Sequence, residues 1–155
     1  MTGDSGHCMA RLVPSDVQTY ISTRARQGFN SVQFNLVATG YVGNSNANLA
    51  TDDGITPFTS GTDITAPNET YWSRMDSYVQ LCAQYGLLAI LNPIESSTNT
   101  DQGGGYRYLS AAGTSGCTTF GQYVGKRYKN FSNVLWQLGN DYDDQTTTTH
   151  NIMTA

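Results

Sequence analysis

The segment "NVLWQLGNDYDD" (133–144) contains an apolar run that stops at Gly139. One amide, Asn140, and three aspartates follow within the next five residues. A continuous apolar run bounded by glycine predicts a strand that is buried on both faces. Two earlier segments have the same character, "NSVQFNLVA" (30–38) and "LLAILNPI" (87–94). The chain is therefore predicted to contain three buried strands, and the last one carries Asn140 and Asp141 at its carboxyl end.

Each of these strands follows a segment with the periodicity of an amphipathic helix. The helical segments are 14–28, 67–86 and 118–131. In the first helix, Ser15 and Gln18 have the spacing of a capping box, and Gly28 suits the left-handed position after the last turn. Gly86 ends the second helix in the same way. Helices that alternate with continuous apolar strands predict an α/β fold built on a parallel sheet.

The connections that leave the strands are longer than those that enter them. They span 38–67 and 94–117 and consist largely of Gly, Asn, Thr, Ser and Asp. Long loops in compact domains usually carry function, and α/β folds place their sites at the carboxyl ends of parallel strands. The segment "MTGDSGH" (1–7) is interpreted as the end of a further strand. The prediction is thus four parallel strands that alternate with three helices, with the site at one edge of the sheet.

Amides and carboxylates dominate the residues predicted to lie at this edge. Such side chains suit a hydroxyl-rich ligand, because each sugar hydroxyl both donates and accepts a hydrogen bond. For Asn35 and Asn92 the alternative is ordinary turn chemistry at a strand end. The predicted edge residues are Asp4, Ser5, His7, Gln33, Asn35, Asn92, Glu95, Asn140, Asp141 and Asp143.

Asp141 is the candidate catalytic acid of this set. A carboxyl group at the mouth of a site loses part of its hydration, which raises its pKa. A general acid needs such a raised pKa near neutral pH. Asn140 stands next to it in the sequence and is predicted to hold a substrate hydroxyl. The alternative is that Asp141 caps the following turn.

Composition and motifs exclude several other classes of function. The formal net charge of −4 argues against a nucleic-acid partner, and "KRYK" (126–129) falls on a predicted helix, where it forms a solvated face. The sequence contains no HExxH, GxSxG, GxxxxGK[ST] or GxGxxG motif. We therefore expect no metal and no cofactor.

No apolar run approaches the roughly 20 residues of a membrane helix, so we expect no membrane partner. Residues 1–12 lack the apolar region of a signal peptide, although a low charged fraction of 13% and 10 tyrosines suit a secreted or periplasmic protein. The three cysteines, Cys8, Cys82 and Cys117, have no zinc-ligand spacing. A disulfide between Cys8 and Cys117 is left open beside the alternative of three free thiols.

Four stretches of the chain resemble the apiosidase-like (β/α)8 glycoside hydrolases, which have the clan A architecture. They are "GDS" (3–5), "RARQGFNSVQFNL" (24–36), "DGITPF" with "PNETYWSRMDSYV" (53–58 and 67–79), and "YVGKRYKNFSNVLWQLGND" (123–141). The last stretch is the most specific, because it follows the family's Gly-x-Arg-Tyr…Asn-x-x-Trp-x-Leu-Gly-Gly-Asp block. The sequence departs from the family at His7, where the family often has Trp, and at "NPIES" (92–96), where the family tends to have Pro-x-Trp-Gly.

The resemblance implies a TIM-barrel glycosidase that hydrolyses O-glycosidic bonds in a polysaccharide or its side chains by a retaining, two-carboxylate mechanism. It makes Asp141 the acid/base, and the nucleophile a Glu on the seventh strand. A TIM barrel takes about 250 residues. We therefore interpret residues 1–155 as one partial domain with strands 1–4 and without the C-terminal half, inactive alone. We predict as substrate contacts Asp4, Gln33, Asn35, Asn92, Glu95 and Asn140.

Three alternatives remain open at this stage. Glu95 could stand in as the second carboxylate within the chain. The protein could be a non-catalytic carbohydrate-binding half-barrel that self-associates through its two open sheet edges. It could also be a small flavodoxin-like α/β domain in which "DYDD" (141–144) binds a metal or phosphate.

Overall fold

The computed structural model describes residues 1–44, 48–97 and 104–139. Within these residues the strands are β1 (Gly3–Ser5), β2 (Ser31–Asn35), β3 (Leu88–Asn92) and β4 (Val134–Trp136). The α-helices are α1 (Pro14–Arg26), α2 (Glu69–Gln84) and α3 (Tyr106–Tyr128). Short 3₁₀ helices span Met9–Arg11 and Gly40–Val42. Strands and helices alternate along the chain, as the sequence predicts.

The four strands form one parallel sheet in the order β1-β2-β3-β4. This arrangement confirms the predicted α/β fold. One face of the sheet packs into the core, where Val32, Phe34 and Leu91 are buried together with residues of the helices. On the other face, Leu88 and Leu135 remain exposed. On the same face, Ser31, Asn35 and Asn92 at the strand ends are fully buried. The described part of the molecule is therefore a sheet with one covered face and one face that is open in part, called the open face below.

The strands are shorter than the apolar runs that predict them. In β2 the strand ends at Asn35, although Leu36, Val37 and Ala38 are all buried. Leu36 still pairs with β3, because its N–H donates to the carbonyl of Asn92 at 2.8 Å. The burial of Val37 and Ala38 beyond it reflects a loop that stays in the core rather than pairing with another strand. Apolar runs therefore overestimate strand length wherever the chain stays in the core after leaving the sheet.

Helix α3 begins earlier than predicted. The interval 94–117 was expected to be a loop, but α3 starts at Tyr106 and is interrupted at Gly113, where φ is 64° and ψ is −177°. Tyr108 and Leu109, before the interruption, are buried. The glycine-rich sequence around Gly113 hides this first helical stretch, because glycine disfavours a helix interior. The connection between β3 and α3 is accordingly reduced to 93–105.

The predicted capping box of α1 is wrong. Pro14 is the first helical residue, Val13 is the N-cap, and no side chain caps this end. Ser15 lies inside the first turn, where its hydroxyl faces the carboxylate of Asp16 at 3.4 Å. The N–H of the first helical residue has no partner within the helix, so proline, which lacks an N–H, suits this position. Pro14 therefore starts the helix one residue before the predicted cap.

The predicted glycine ends of α1 and α2 are confirmed. Gly28 has φ of 86° and Gly86 has φ of 72°, both in the left-handed region. The N–H of Phe29 donates to the carbonyl of Arg24 at 3.1 Å, and the N–H of Leu87 donates to the carbonyl of Cys82 at 2.8 Å. These bonds are those of a Schellman motif, which turns each helix directly into the following strand.

Helices α2 and α3 are joined by an aromatic cluster and by an ion-pair network. Trp72 packs edge-on against Phe120 and Tyr123, with ring centroids 5.8 Å and 5.4 Å apart. Arg127 donates two hydrogen bonds to the carboxylate of Asp76, at 2.8 Å and 2.9 Å, and a third to Glu69 at 2.8 Å. The network fixes the relative position of the two helices that lie behind β3 and β4.

The three cysteines are free thiols, so the Cys8–Cys117 disulfide considered from the sequence is wrong. Burial raises the pKa of the Cys82 thiol to about 12, and burial also raises the pKa of Cys117. Both thiols are therefore protonated at neutral pH. No described helix has the length and hydropathy needed to cross a membrane.

Candidate active site at the carboxyl edge of the sheet

The carboxyl ends of β2, β3 and β4 are linked by two asparagine side chains. Asn35 and Asn92 are register partners at the ends of their strands. The Nδ2 of Asn92 donates to the Oδ1 of Asn35 at 3.0 Å. The Oδ1 of Asn92 accepts from the N–H of Gly139, which follows β4, at 3.2 Å. The two amides therefore form a hydrogen-bonded row across three neighbouring strand ends.

This geometry changes the interpretation of Asn35 and Asn92. Both side chains are fully buried, so they present no surface to a sugar in this structure. Buried amides must find their hydrogen-bond partners within the protein, and these two find partners across the strands. Their predicted role as direct substrate contacts is therefore not supported. The alternative, turn chemistry at a strand end, does not describe them either, because their side chains bond between strands.

Glu95 is also fully buried, beneath the loops that follow β2 and β3. Its Oε2 accepts from the hydroxyl of Thr39 at 2.7 Å and from the N–H of Gly105 at 3.1 Å. Its Oε1 accepts from the N–H of Ser97. Three donors compensate the cost of burying this carboxylate. Glu95 thus joins the loop after β2 to both ends of the loop before α3.

The packing around Glu95 explains the glycine at the start of α3. A Cβ atom added at Gly105 would meet the Glu95 carbonyl oxygen at 1.7 Å, so a side chain cannot be placed there without moving the backbone. The predicted substrate contact by Glu95 is not supported by its burial. The same burial argues against Glu95 as a second catalytic carboxylate, because its oxygens are already engaged with loop donors.

Asp4 lies on the helix side of the sheet rather than in the open edge. Its Oδ2 accepts from the hydroxyl of Tyr20 at 2.7 Å and from the guanidinium of Arg24. The Tyr20 hydroxyl and the adjacent Arg24 hold the pKa of Asp4 below its usual value. The carboxylate therefore anchors β1 to α1, and its predicted contact with substrate is not supported.

Gln33 remains available on the open face. It is half-buried in β2 and is the register partner of Ser5 and Ile90. Residues two apart on a strand point to the same face, so Gln33 shares the face of Asn35. Asn92 is the register partner of Asn35 and lies on that face too. Among the described edge residues, Ser5 is exposed and His7 is half-buried.

Asn140, Asp141 and Asp143 lie outside the residues that the structure describes. The structure does describe the chain leading up to them. The N–H of Gln137 donates to the carbonyl of Leu91 at 2.8 Å, which extends the β3–β4 ladder past Trp136. Gly139 then takes φ of 71°, in the left-handed region. The roles predicted for Asn140 and Asp141 stay predictions.

Sequence reasoning missed Thr39 and Asn44, which organise the loop after β2. Thr39 is buried and donates to Glu95. The Nδ2 of Asn44 donates to the carbonyls of Ala38 and Ala50, at 2.9 Å and 3.2 Å. A single Thr or Asn in a long polar loop gives no sequence signal of this kind, because Thr39 bonds to a residue 56 positions away and Asn44 bonds to backbone carbonyls, which any residue has. Among the described residues, no group of His, Cys, Asp and Glu is arranged to hold a metal ion.

Comparison with known proteins identifies relatives of this chain. A family model described as "Apiosidase-like, catalytic domain" matches residues 3–155. A glycoside hydrolase family 5 structure from Bacteroides vulgatus ATCC 8482 superposes with a TM-score of 0.76 at 18% identity, and the match covers 99% of this chain and 31% of that one. A family 5 enzyme from Prevotella bryantii B14 gives a TM-score of 0.59 at 12% identity, over 97% of this chain and 46% of that one. No curated protein matches.

These identities are too low to show more than a shared fold. The chain spans about a third of the length of two of the structures that it superposes with, 32% in one case and 31% in the other. Together with the parallel order β1-β2-β3-β4, this partial coverage shows that the chain corresponds to a fragment of a TIM barrel. That result confirms the fold predicted from the sequence.

Proposed function

The chain belongs to the apiosidase-like catalytic-domain family, and from this premise we propose that it supplies the acid/base, Asp141, of a retaining glycoside hydrolase. The relationship to glycoside hydrolases is established by the family match over residues 3–155. The role of Asp141 and the retaining course of the reaction are the proposed part.

The observation that carries the proposal is the position of β4. This strand lies parallel to β3, and its ladder runs to Gln137, two residues short of Gly139. The described residues 137–139 therefore leave the same edge of the sheet as β2 and β3. In α/β barrels this edge holds the active site. Asp141, two residues after Gly139, is the first carboxylate to follow β4 in the sequence.

The open face of the sheet supports a barrel whose remaining strands come from outside these residues. Leu135 is 50% exposed on that face, and Leu88 is 37% exposed there as well. In a closed barrel the inward-pointing side chains are packed in layers. Further βα units would cover these leucines and would bring the second carboxylate to the same edge.

In the proposed reaction, Asp141 protonates the leaving oxygen of the glycoside while the second carboxylate attacks the anomeric carbon. Asp141 then removes a proton from the water that hydrolyses the glycosyl-enzyme. This double displacement needs the two carboxyl groups about 5–5.5 Å apart, whereas inversion needs about 6.5–9.5 Å. Gln33, half-buried on the open face, is proposed to contact a sugar hydroxyl. Asn140 is proposed to do the same beside the acid.

The proposal is tested with Asp141→Asn in a complete barrel in which this chain supplies the first four strands. Loss of a general acid/base is expected to lower kcat/KM for glycan cleavage by about 10²–10⁴-fold, because proton transfer to the leaving oxygen contributes that much. Asp16→Asn is the control, since it removes the same charge from an exposed residue of α1 outside the predicted edge residues, and it should leave turnover close to that of the parent. Parental turnover by Asp141→Asn would remove this residue from the mechanism.

A further inference from the structure

Asn92 joins the active-site edge through both ends of its side-chain amide. Its Nδ2 is engaged with Asn35 at 3.0 Å and its Oδ1 with the Gly139 N–H at 3.2 Å. Because Asn35 accepts from one end, the amide plane of Asn92 is fixed and the orientation of its oxygen is set. The fully buried side chain thus presents one oriented acceptor to the chain that leaves β4.

The sequence around Asn92 explains why a side chain takes this role. The register pairs Leu91 with Trp136, so the next ladder bond would join the N–H of residue 93 to the Gln137 carbonyl. Residue 93 is Pro93, which has no N–H. The strand ladder therefore stops here, and the Asn92 side chain, not the β3 backbone, accepts from Gly139.

Gly139 is the point at which the chain changes direction. Its φ of 71° lies in the left-handed region, which side-chain-bearing residues rarely adopt. A backbone of this kind is flexible unless its N–H is held, and the bond to Asn92 holds it. Asp141 follows Gly139 by two residues in the sequence, so a change at the Gly139 turn is passed on to the segment that carries this aspartate.

We propose that Asn92, fixed by Asn35, is a positioning residue that aims the Gly139 turn and thereby the acid/base Asp141. This inference rests on the proposed function for its catalytic consequence. It replaces the sugar-contact role predicted for Asn92 with an indirect role through the backbone. Loss of the Asn92 oxygen leaves substrate affinity intact and misplaces the proton donor.

The test compares three variants. Asn92→Ala removes the acceptor, and Asn92→Asp keeps an oxygen for the Gly139 N–H. Ser31→Ala is the matched control, because Ser31 is equally buried on the same strand as Asn35 but at the opposite end of β2. Amide hydrogen exchange of Gly139 is measured in the ¹⁵N-labelled chain, relative to the ladder amide of Ala89, which donates to Asn133 at 2.8 Å. This ratio cancels any loss of global stability.

The expected result is faster exchange at Gly139 relative to Ala89 in Asn92→Ala, a smaller increase in Asn92→Asp, which keeps an acceptor but loses the bond to Asn35 that fixes it, and kept protection in Ser31→Ala. In a complete barrel, Asn92→Ala is expected to lower kcat by about 10–100-fold at nearly constant KM, as small misplacements of catalytic groups do. A raised KM with unchanged kcat would indicate a sugar contact and would overturn the proposal. Unchanged exchange at Gly139 would overturn it as well.

The two readouts separate this inference from the proposed function. Exchange at Gly139 does not depend on any activity, so it tests the positioning contact even if the chain belongs to an enzyme with a different acid. If Gly139 responds to Asn92→Ala while Asp141→Asn retains full turnover, the contact stands and the assignment of Asp141 fails. If Asp141→Asn is inactive while Gly139 does not respond, the assignment of Asp141 stands and the positioning role fails.

Discussion

At the scale of single residues, Asp4 shows how a carboxylate at a predicted site can serve the fold instead. Successive side chains on a strand point to opposite faces, and Asp4 points toward α1, where Tyr20 and Arg24 engage it. The sequence alone does not reveal which face a residue of a three-residue strand takes. The same limit applies to Asn35 and Asn92, whose partners are each other across 57 positions of the chain.

The pH dependence of stability tests the role of Asp4. Hydrogen bonding to Tyr20 and the charge of Arg24 lower the pKa of Asp4 in the folded state. Its contribution is therefore fully present above the unfolded pKa of about 3.9 and is lost as the pH falls through the lower, folded pKa. Asp4→Asn should have a lower Tm than the parent at pH 7. The difference in Tm between the two proteins should become smaller as the pH falls toward 2, as measured by circular dichroism. Parallel Tm curves for the two proteins over this range would contradict the assignment.

At the scale of elements, the sequence predicts which segments are helices and strands better than it predicts their ends. Alternating helical periodicity and apolar runs identify the βα order, and Gly28 and Gly86 mark two helix ends by the left-handed turn that each requires. The sequence does not predict the first turns of α3, because Gly113 and its neighbours have the composition of a loop. Strand ends are missed because burial of 37–38 continues after pairing stops.

The contact between α2 and α3 gives a prediction at this scale. Arg127 donates two hydrogen bonds to Asp76 and a third to Glu69. The Arg127 side chain is only 15% exposed. Lysine cannot reproduce this fork, so Arg127→Lys should lower the free energy of unfolding by about 1.5–3 kcal/mol. Chemical denaturation monitored by tryptophan fluorescence measures the loss.

The matched control for that variant is Arg26→Lys. Arg26 is exposed at the end of α1 and its guanidinium reaches Thr23 of the same helix at 3.1 Å. Surface replacements of this kind usually change stability by less than about 0.5 kcal/mol. An equal loss in the two variants would show that the interhelical network contributes no more than an exposed arginine.

At the scale of the whole molecule, the described residues form a half-barrel with one open face and a free edge at each end of the sheet. The parallel order of strands and the partial coverage of longer glycoside hydrolase structures agree on this point. The self-association predicted for such open edges stays a prediction, which sedimentation velocity of the chain over a concentration series would test. The sequence shows the half-barrel because βα alternation is a local property of the chain.

The measurement that tests the central claim most directly is azide rescue of Asp141→Ala in a complete barrel, with a glycoside whose leaving group departs without acid assistance. If Asp141 is the acid/base of a retaining enzyme, the glycosyl-enzyme still forms, and azide replaces water because it needs no general base. The account predicts faster turnover with azide and a glycosyl azide of the same anomeric configuration as the substrate. An Asp141→Ala variant that cleaves the activated glycoside at the parental rate, with no acceleration and no azide product, would contradict it.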